Sequence, residues 1–135
     1  MKSFKVHILS ASRTFYEGDC ESLVVPTLHG QYGILANHCN AICAIVPGQM
    51  MYRIPGKESM IAAVSSGLVK VENNDVLVLV DSAERPEEID ANKARLAADA
   101  AKEAMLQKQS MKEYEKARMS LARAVARLKV KSGDK

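Results

Sequence analysis

The sequence predicts an α+β chain: an N-terminal antiparallel β-sandwich over residues 1–86, then a two-helix antiparallel hairpin over residues 87–135. Three observations lead there. Short stretches of alternating apolar and polar residues recur through the first part, separated by turn-forming residues. At Arg85-Pro86 the composition changes abruptly, and Gly and Pro vanish until Gly133. Beyond that point apolar residues recur three, four or seven apart, and alanine becomes unusually frequent.

Taken in order, Phe4–Leu9 alternates and reads as the first strand, and Cys20–Val25 does the same. Further candidates are Ala41–Val46, Gln49–Ile54, Met60–Val64, Leu68–Val71 and Val76–Val80. Turn signals lie between them at Leu28-His29-Gly30, Pro47-Gly48, Pro55-Gly56-Lys57, Ser65-Ser66-Gly67 and Asn73-Asn74-Asp75. The segment Val71–Val76 reads as a tight hairpin, because Asn and Asp tolerate the positive φ such turns need. Roughly seven to nine short strands at this spacing suit a sandwich or flattened barrel, not a parallel sheet with helical crossovers.

Pro86 cannot donate to a sheet and holds Arg85 extended, so the sandwich ends there. The first helix is expected from Asp90 to Lys108, with Asp90 as N-cap and Glu87 and Glu88 just upstream. Gln109-Ser110 reads as the break, and a second helix follows from Met111 to Val130. Met111, Tyr114, Leu121, Val125 and Leu128 fall on one stripe of it. Alanines at 91, 94, 97, 98, 100, 101 and 104 of the first helix and 117, 122, 124 and 126 of the second make both stiff. Each buries only one side-chain carbon, and burial stabilises by about 0.8 kcal/mol per CH₂. Two readings stay open: a loosely held, mobile hairpin, or one docked permanently whose alanines allow close approach.

The chain is 47% hydrophobic and 26% charged but only 4% aromatic, without Trp, so the core must be aliphatic. No apolar run approaches the roughly 20 residues that span a bilayer. The opening Met1-Lys2-Ser3-Phe4-Lys5 lacks an apolar signal core, and a cytoplasmic protein is expected. Three cysteines, Cys20, Cys39 and Cys43, suggest no disulfide framework. His38, Cys39 and Cys43 invite a metal reading but fall short of a four-ligand set, so no metal is expected and the thiols read as small buried hydrophobes. No nucleophile–base pair accompanies His38, and no catalytic residue is assigned. Residues 1–86 carry seven basic and eight acidic side chains, whereas residues 87–135 carry twelve basic and eight acidic. The basic excess, concentrated between Lys116 and Lys131, suits an anionic partner.

Several segments, in order, resemble the epsilon subunit of bacterial F-type ATP synthases, the counterpart of the mitochondrial delta subunit. Gly30-Gln31-Tyr32-Gly33-Ile34-Leu35-Ala36-Asn37-His38 is similar to that family's G-x-x-G-I-L-P-x-H segment, with Ala36 in place of Pro. Pro47-Gly48, Ala63–Val71 and Leu121–Leu128 resemble the turn, the strand–S-G-G–strand element and the last helix. The resemblance implies a sandwich of about ten strands and a non-catalytic rotor-stalk subunit. That subunit binds the gamma subunit and the c-subunit ring, touches the membrane only through the complex, and sits at the cytoplasmic face of a bacterial plasma membrane. Its hairpin folds on the sandwich or rises into the alpha/beta head and brakes ATP hydrolysis.

By the same resemblance Gly30, Gln31, Tyr32 and Gly33 form a loop facing the c ring, with Gln31 and Tyr32 exposed. Asn37 and His38 lie at the gamma interface. Arg118, Arg123, Arg127 and Lys129 meet an acidic loop of the beta subunits. Some members bind ATP through an I/L-D-x-x-R-A motif. The corresponding set here is Glu84, Ile89, Asp90, Lys93, Ala94, Arg123 and Arg127. Lys93 in place of Arg loses the planar fork that grips phosphate, and Ala100 stands where strong binders have another arginine, so ATP binding is expected to be weak. The rival from another class is a free-standing nucleic-acid-binding module using the basic helix. The lack of stacking aromatics there counts against it, and no nucleic-acid partner is expected.

Overall fold

The structure, a computed structural model, describes residues 2–107 and 110–133. Ten strands come first: β1 (Phe4–Ser10), β2 (Thr14–Cys20), β3 (Ser22–Thr27), β4 (Gly30–Leu35), β5 (Ala41–Ile45), β6 (Gly48–Arg53), β7 (Ser59–Val64), β8 (Gly67–Glu72), β9 (Asp75–Val80) and β10 (Ala83–Glu84). A single 3₁₀ turn, Pro86–Glu88, leads to α1 (Ala91–Gln107) and α2 (Met111–Lys131). The strands form two five-stranded sheets, ordered β2-β1-β9-β8-β5 and β10-β7-β6-β3-β4.

Alternation decides which side of each strand meets the other sheet. Phe4, Val6 and Ile8 of β1, Val76, Val78 and Val80 of β9, Leu23 and Val25 of β3, and Met50 and Tyr52 of β6 point inward; the core is mainly aliphatic, but Phe4, Phe15 and Tyr52 are part of it. One pair departs from the expected antiparallel order: β1 and β9 run parallel, with Val6 opposite Val76. Their long connection lets them meet in either direction, unlike strands joined by a tight turn. Asn73 and Asn74 at φ 51° and 63° make the predicted β8–β9 hairpin turn. Gly67 is required where β8 crosses close to β9, since a Cβ there would run into the Leu79 carbonyl oxygen.

Three strands were not predicted. The stretch expected as one strand, Cys20–Val25, is split at Glu21 between β2 and β3. β2 is polar along most of its length, which hides its alternation. Gly30–Gly33, expected as a loop, is the start of β4, an edge strand paired to β3 from Thr27↔Gly30 to Ser22↔Leu35. Only the turn at Leu28-His29 is loop, and the two glycines in β4 suppressed the strand signal. β10 is a two-residue pairing with β7.

The hairpin is docked. α2 lies over β6 and β7, and α1 packs on α2. Asp90 caps α1 as expected, its Oδ1 accepting from the backbone N–H groups of Asn92 (3.0 Å) and Lys93 (3.2 Å). Ser110 caps α2 by accepting from Glu113 N–H at 3.1 Å. Lys108 and Gln109, assigned to the helix end and the break, lie outside the described residues. The apolar stripe of α2 is not its buried seam: Met111 and Val125 are exposed, and Tyr114, Leu121 and Leu128 are half-buried. The buried positions are Ala94, Ala98 and Ala101 of α1 and Ala117, Ala124, Ala126 and Val130 of α2. Close helix approach selects the small residues for the seam and leaves the large ones at its margins. No described helix is long and apolar enough to cross a membrane.

Candidate functional site

β7 explains why the hairpin rests where it does. Ile61, Ala62, Ala63 and Val64 are all buried, so both faces of this strand are covered. Ala62 and Val64 belong to the sandwich core. Ile61 and Ala63 face outward and form a second small core with Ile89 and Val130, against which Met51 packs. A continuous apolar run in an antiparallel sheet means a second layer, and here that layer is α2.

The connector is fixed to the sandwich by two arginines. Arg85 is extended (φ −77°, ψ 157°), its guanidinium carbon stands 4.1 Å from the Phe15 ring centroid, and Nη2 donates to the Phe15 carbonyl at 2.7 Å. Arg13 donates to the Ala83 carbonyl at 3.1 Å and pairs with both Glu88 oxygens at 2.7 and 2.8 Å. Glu88 also accepts from the Arg85 backbone N–H at 2.8 Å. The Arg13 bonds, and then the Arg85 amide, hold the Glu88 carboxyl down at about 2. The clamp ends there, and Ile89 turns into the pocket under Val130. Across the seam Arg127 Nε of α2 donates to Glu84 Oε1 of β10 at 2.6 Å, and Lys131 Nζ donates to the Pro86 carbonyl at 3.2 Å.

Most of the residues assigned to nucleotide binding converge beside this pair. Glu84, Asp90, Lys93, Ala94 and Arg127 line one cleft of about 370 Å³ with Glu88 and Ala97. Arg123 lies just beyond, with Arg127 and Glu84 over Ser65 and Ser82. Ile89 does not line the cleft; it is a docking residue. The cleft presents three carboxylates and two cations, Arg127 is engaged by Glu84, and Asp90 is engaged as a cap. An incoming triphosphate would have to displace Glu84 from Arg127, which disfavours tight binding.

The four basic residues assigned to one contact occupy two faces of α2. Arg118 and Lys129 border a groove of about 590 Å³ against β6, while Arg123 and Arg127 sit over Glu84. Arg118 is held by Glu115 at 2.8 Å.

At the opposite edge, Gly30, Gln31 and Gly33 of β4 are exposed, but Tyr32, expected as an exposed contact, is half-buried against the core. Its hydroxyl lies 3.0 Å from His38 Nε2, and His38 Nδ1 donates to the Cys39 carbonyl at 2.7 Å. Asn37, at φ 64°, donates its N–H to Asn74 Oδ1 at 2.6 Å and ties this loop to the β8–β9 hairpin. Of the cysteines only Cys20 is buried; Cys43 is half-buried and Cys39, in the loop before β5, is exposed. Among the described residues no cluster of three or more potential ligands could hold a metal.

One surface escaped the sequence reading. On the outer face of the first sheet, Ala44, Leu68, Leu79 and Leu9 stand side by side in register. Leu68 and Leu79 are 38% and 39% exposed, Ile42 nearby is 71% exposed, and the described helices pack on the other sheet. Its signal was present in the run Val76–Val80, apolar at every position: one face of β9 builds the core, and the other is left for something else. Leu28, at the β3–β4 turn, is 81% exposed.

Residues 3–86 match the family model described as the ATP synthase delta/epsilon chain β-sandwich domain, and residues 87–132 match the long α-helix domain of the same chain. The chain is 37% identical, over its whole length and 98% of the relative, to an ATP synthase epsilon chain of Caldicellulosiruptor bescii. It is 39% identical to that of Caldanaerobacter subterraneus over 97% of this chain and 95% of the relative. Its fold is similar to a chain in the Euglena gracilis mitochondrial ATP synthase OSCP/F1/c-ring structure, with TM-score 0.80 at 18% identity, covering 92% of this chain and 78% of that one. A chain of the Tetrahymena thermophila central stalk/c-ring structure aligns with TM-score 0.66 at 11% identity, over 96% and 97% of the two chains.

Proposed function

The chain belongs to the ATP synthase delta/epsilon family, in the form its bacterial epsilon relatives take, and from that premise we propose that it joins a gamma partner to the c ring and carries a releasable brake. It is an accessory subunit, not an enzyme. Membership of this family displaces the nucleic-acid reading.

The observation that carries the proposal is the uncovered apolar face of the first sheet. A face of Ile42, Leu68 and Leu79 standing in water, beside half-buried Leu9, is costly for a lone subunit and natural for one clamped to a shaft. Gamma is its proposed partner, with Asn37 and His38 at the rim. The β3–β4 edge, with Leu28, Gly30, Gln31 and Gly33, is proposed to meet the c ring, so that the protein reaches the cytoplasmic membrane face only through the complex.

The hairpin is the proposed brake. Docked, it engages Arg127 with Glu84; raised, it would release Arg127 and carry it with Arg118, Arg123 and Lys129 to an acidic surface of the alpha/beta head. Weak ATP binding in the Glu84–Lys93–Arg127 cleft would favour the docked form by bridging β10, α1 and α2.

Capture by a purified gamma subunit tests the clamp. The double variant Ile42→Asp, Leu79→Asp should keep its melting temperature and lose capture. Undiminished capture would remove this face as the interface.

A further inference from the structure

Gln49 lies in β6 opposite Ala63 of β7, in the part of the second sheet that α2 covers. Along β6 the residues alternate: Met50 and Tyr52 enter the sandwich core, while Gln49 and Met51 point toward the hairpin. Met51 packs on the small core around Val130. Gln49 borders the groove between β6 and α2, and its Nε2 is sealed from solvent with no hydrogen-bond partner among the described residues. Val125 and Ala126 of α2 line the same groove.

A buried polar group left unpaired is destabilising, whereas the same amide on a bare sheet would be hydrated. The penalty therefore belongs to the docked arrangement alone. Other contacts at this seam favour docking: Val130 and Ile89 in their pocket, Arg127 on Glu84, Lys131 on the Pro86 carbonyl. We propose that Gln49 is a built-in counterweight, a residue of the sandwich that biases the hairpin toward release by leaving an amide unsatisfied under α2. The proposal rests on the two-position hairpin proposed above and identifies a sandwich residue that sets the balance between the positions. Met or Leu would fill the same space without a polar end.

The test uses the full chain carrying Ala63→Cys, a near-isosteric change under α2 on a strand that stays with the sandwich. Labelling of the introduced thiol reads uncovering of the sheet. Native Cys20, in the sandwich core, reads global unfolding in the same sample. Peptide mass spectrometry separates both from Cys39 and Cys43. With Gln49 in place, the introduced thiol should label faster than Cys20. Gln49→Met and Gln49→Leu should each slow it about tenfold, and Val130→Ala should speed it. Labelling as fast or faster in both Gln49 variants, with Val130→Ala still accelerating it, overturns the counterweight and leaves the latch. Equal rates at the introduced thiol and Cys20 in every variant overturn the latch and the counterweight with it.

Discussion

Arg127 Nε stands 2.6 Å from Glu84 Oε1, so the last helix of the chain is tied to the last strand of the sandwich by one ion pair. The two residues lie forty-three positions apart, and with the Lys131–Pro86 hydrogen bond they supply polar contacts of the docked hairpin. Both are about one-third exposed, which keeps the pair breakable.

Glu84→Gln should loosen docking by about 1 kcal/mol or less, seen as faster thiol labelling under α2. A double-mutant cycle with Arg127→Gln should show that the two changes do not add. Strict additivity would mean the pair contributes nothing to docking.

Val130 is fully buried with Ile61, Ala63 and Ile89, in a small core separate from that of the sandwich. Val130→Ala should weaken docking by about 1–2 kcal/mol. The sandwich should keep its near-ultraviolet signal while fluorophores on α2 and β6 move apart. Loss of the sandwich signal would place Val130 in the main cooperative unit.

Glu88 gives the connector a pH signature. Its carboxyl is lowered from the ordinary 4.5 to about 2 by Arg13 and the Arg85 amide. A depressed folded-state value stabilises fully above the unfolded value and is lost as pH falls through the folded one. Acid titration between about pH 4.5 and 2 should therefore cost the native chain stability that Glu88→Gln, already without it at pH 7, does not lose further. Parallel acid curves would show that the Arg13–Glu88 clamp carries no stability.

The cleft beside Arg127 should bind ATP weakly in calorimetry. Glu84→Gln frees the guanidinium and removes one of the carboxylates, and Lys93→Arg restores a bidentate fork, so each should tighten binding several-fold. No heat at millimolar ATP in any variant would remove nucleotide sensing.

The sandwich and hairpin were legible because alternation, the Asn73-Asn74 turn, the Pro86 boundary and the Asp90 cap are local signals. β2 and β4 were not, because their glycines and polar residues are tolerated only through pairing with β1 and β3. On α2 the large apolar residues mark the margins of the seam, while close packing fills the seam itself mostly with alanine. Glu84, Asp90, Lys93 and Arg127 line one cleft, a placement that spacing along the chain does not reveal. The roles of Gln49, Arg13 and the Leu68–Leu79 face come from what a neighbouring layer covers or leaves bare, which no local signal carries.

The central claim is that the hairpin is a brake resting on a sandwich that works without it. It is tested most directly by ATP hydrolysis in the assembled complex, comparing the full chain with one ending at Glu88, which keeps the Arg13 clamp. The shortened chain should still assemble and hydrolysis should rise several-fold; an unchanged rate in a fully assembled complex would contradict the account.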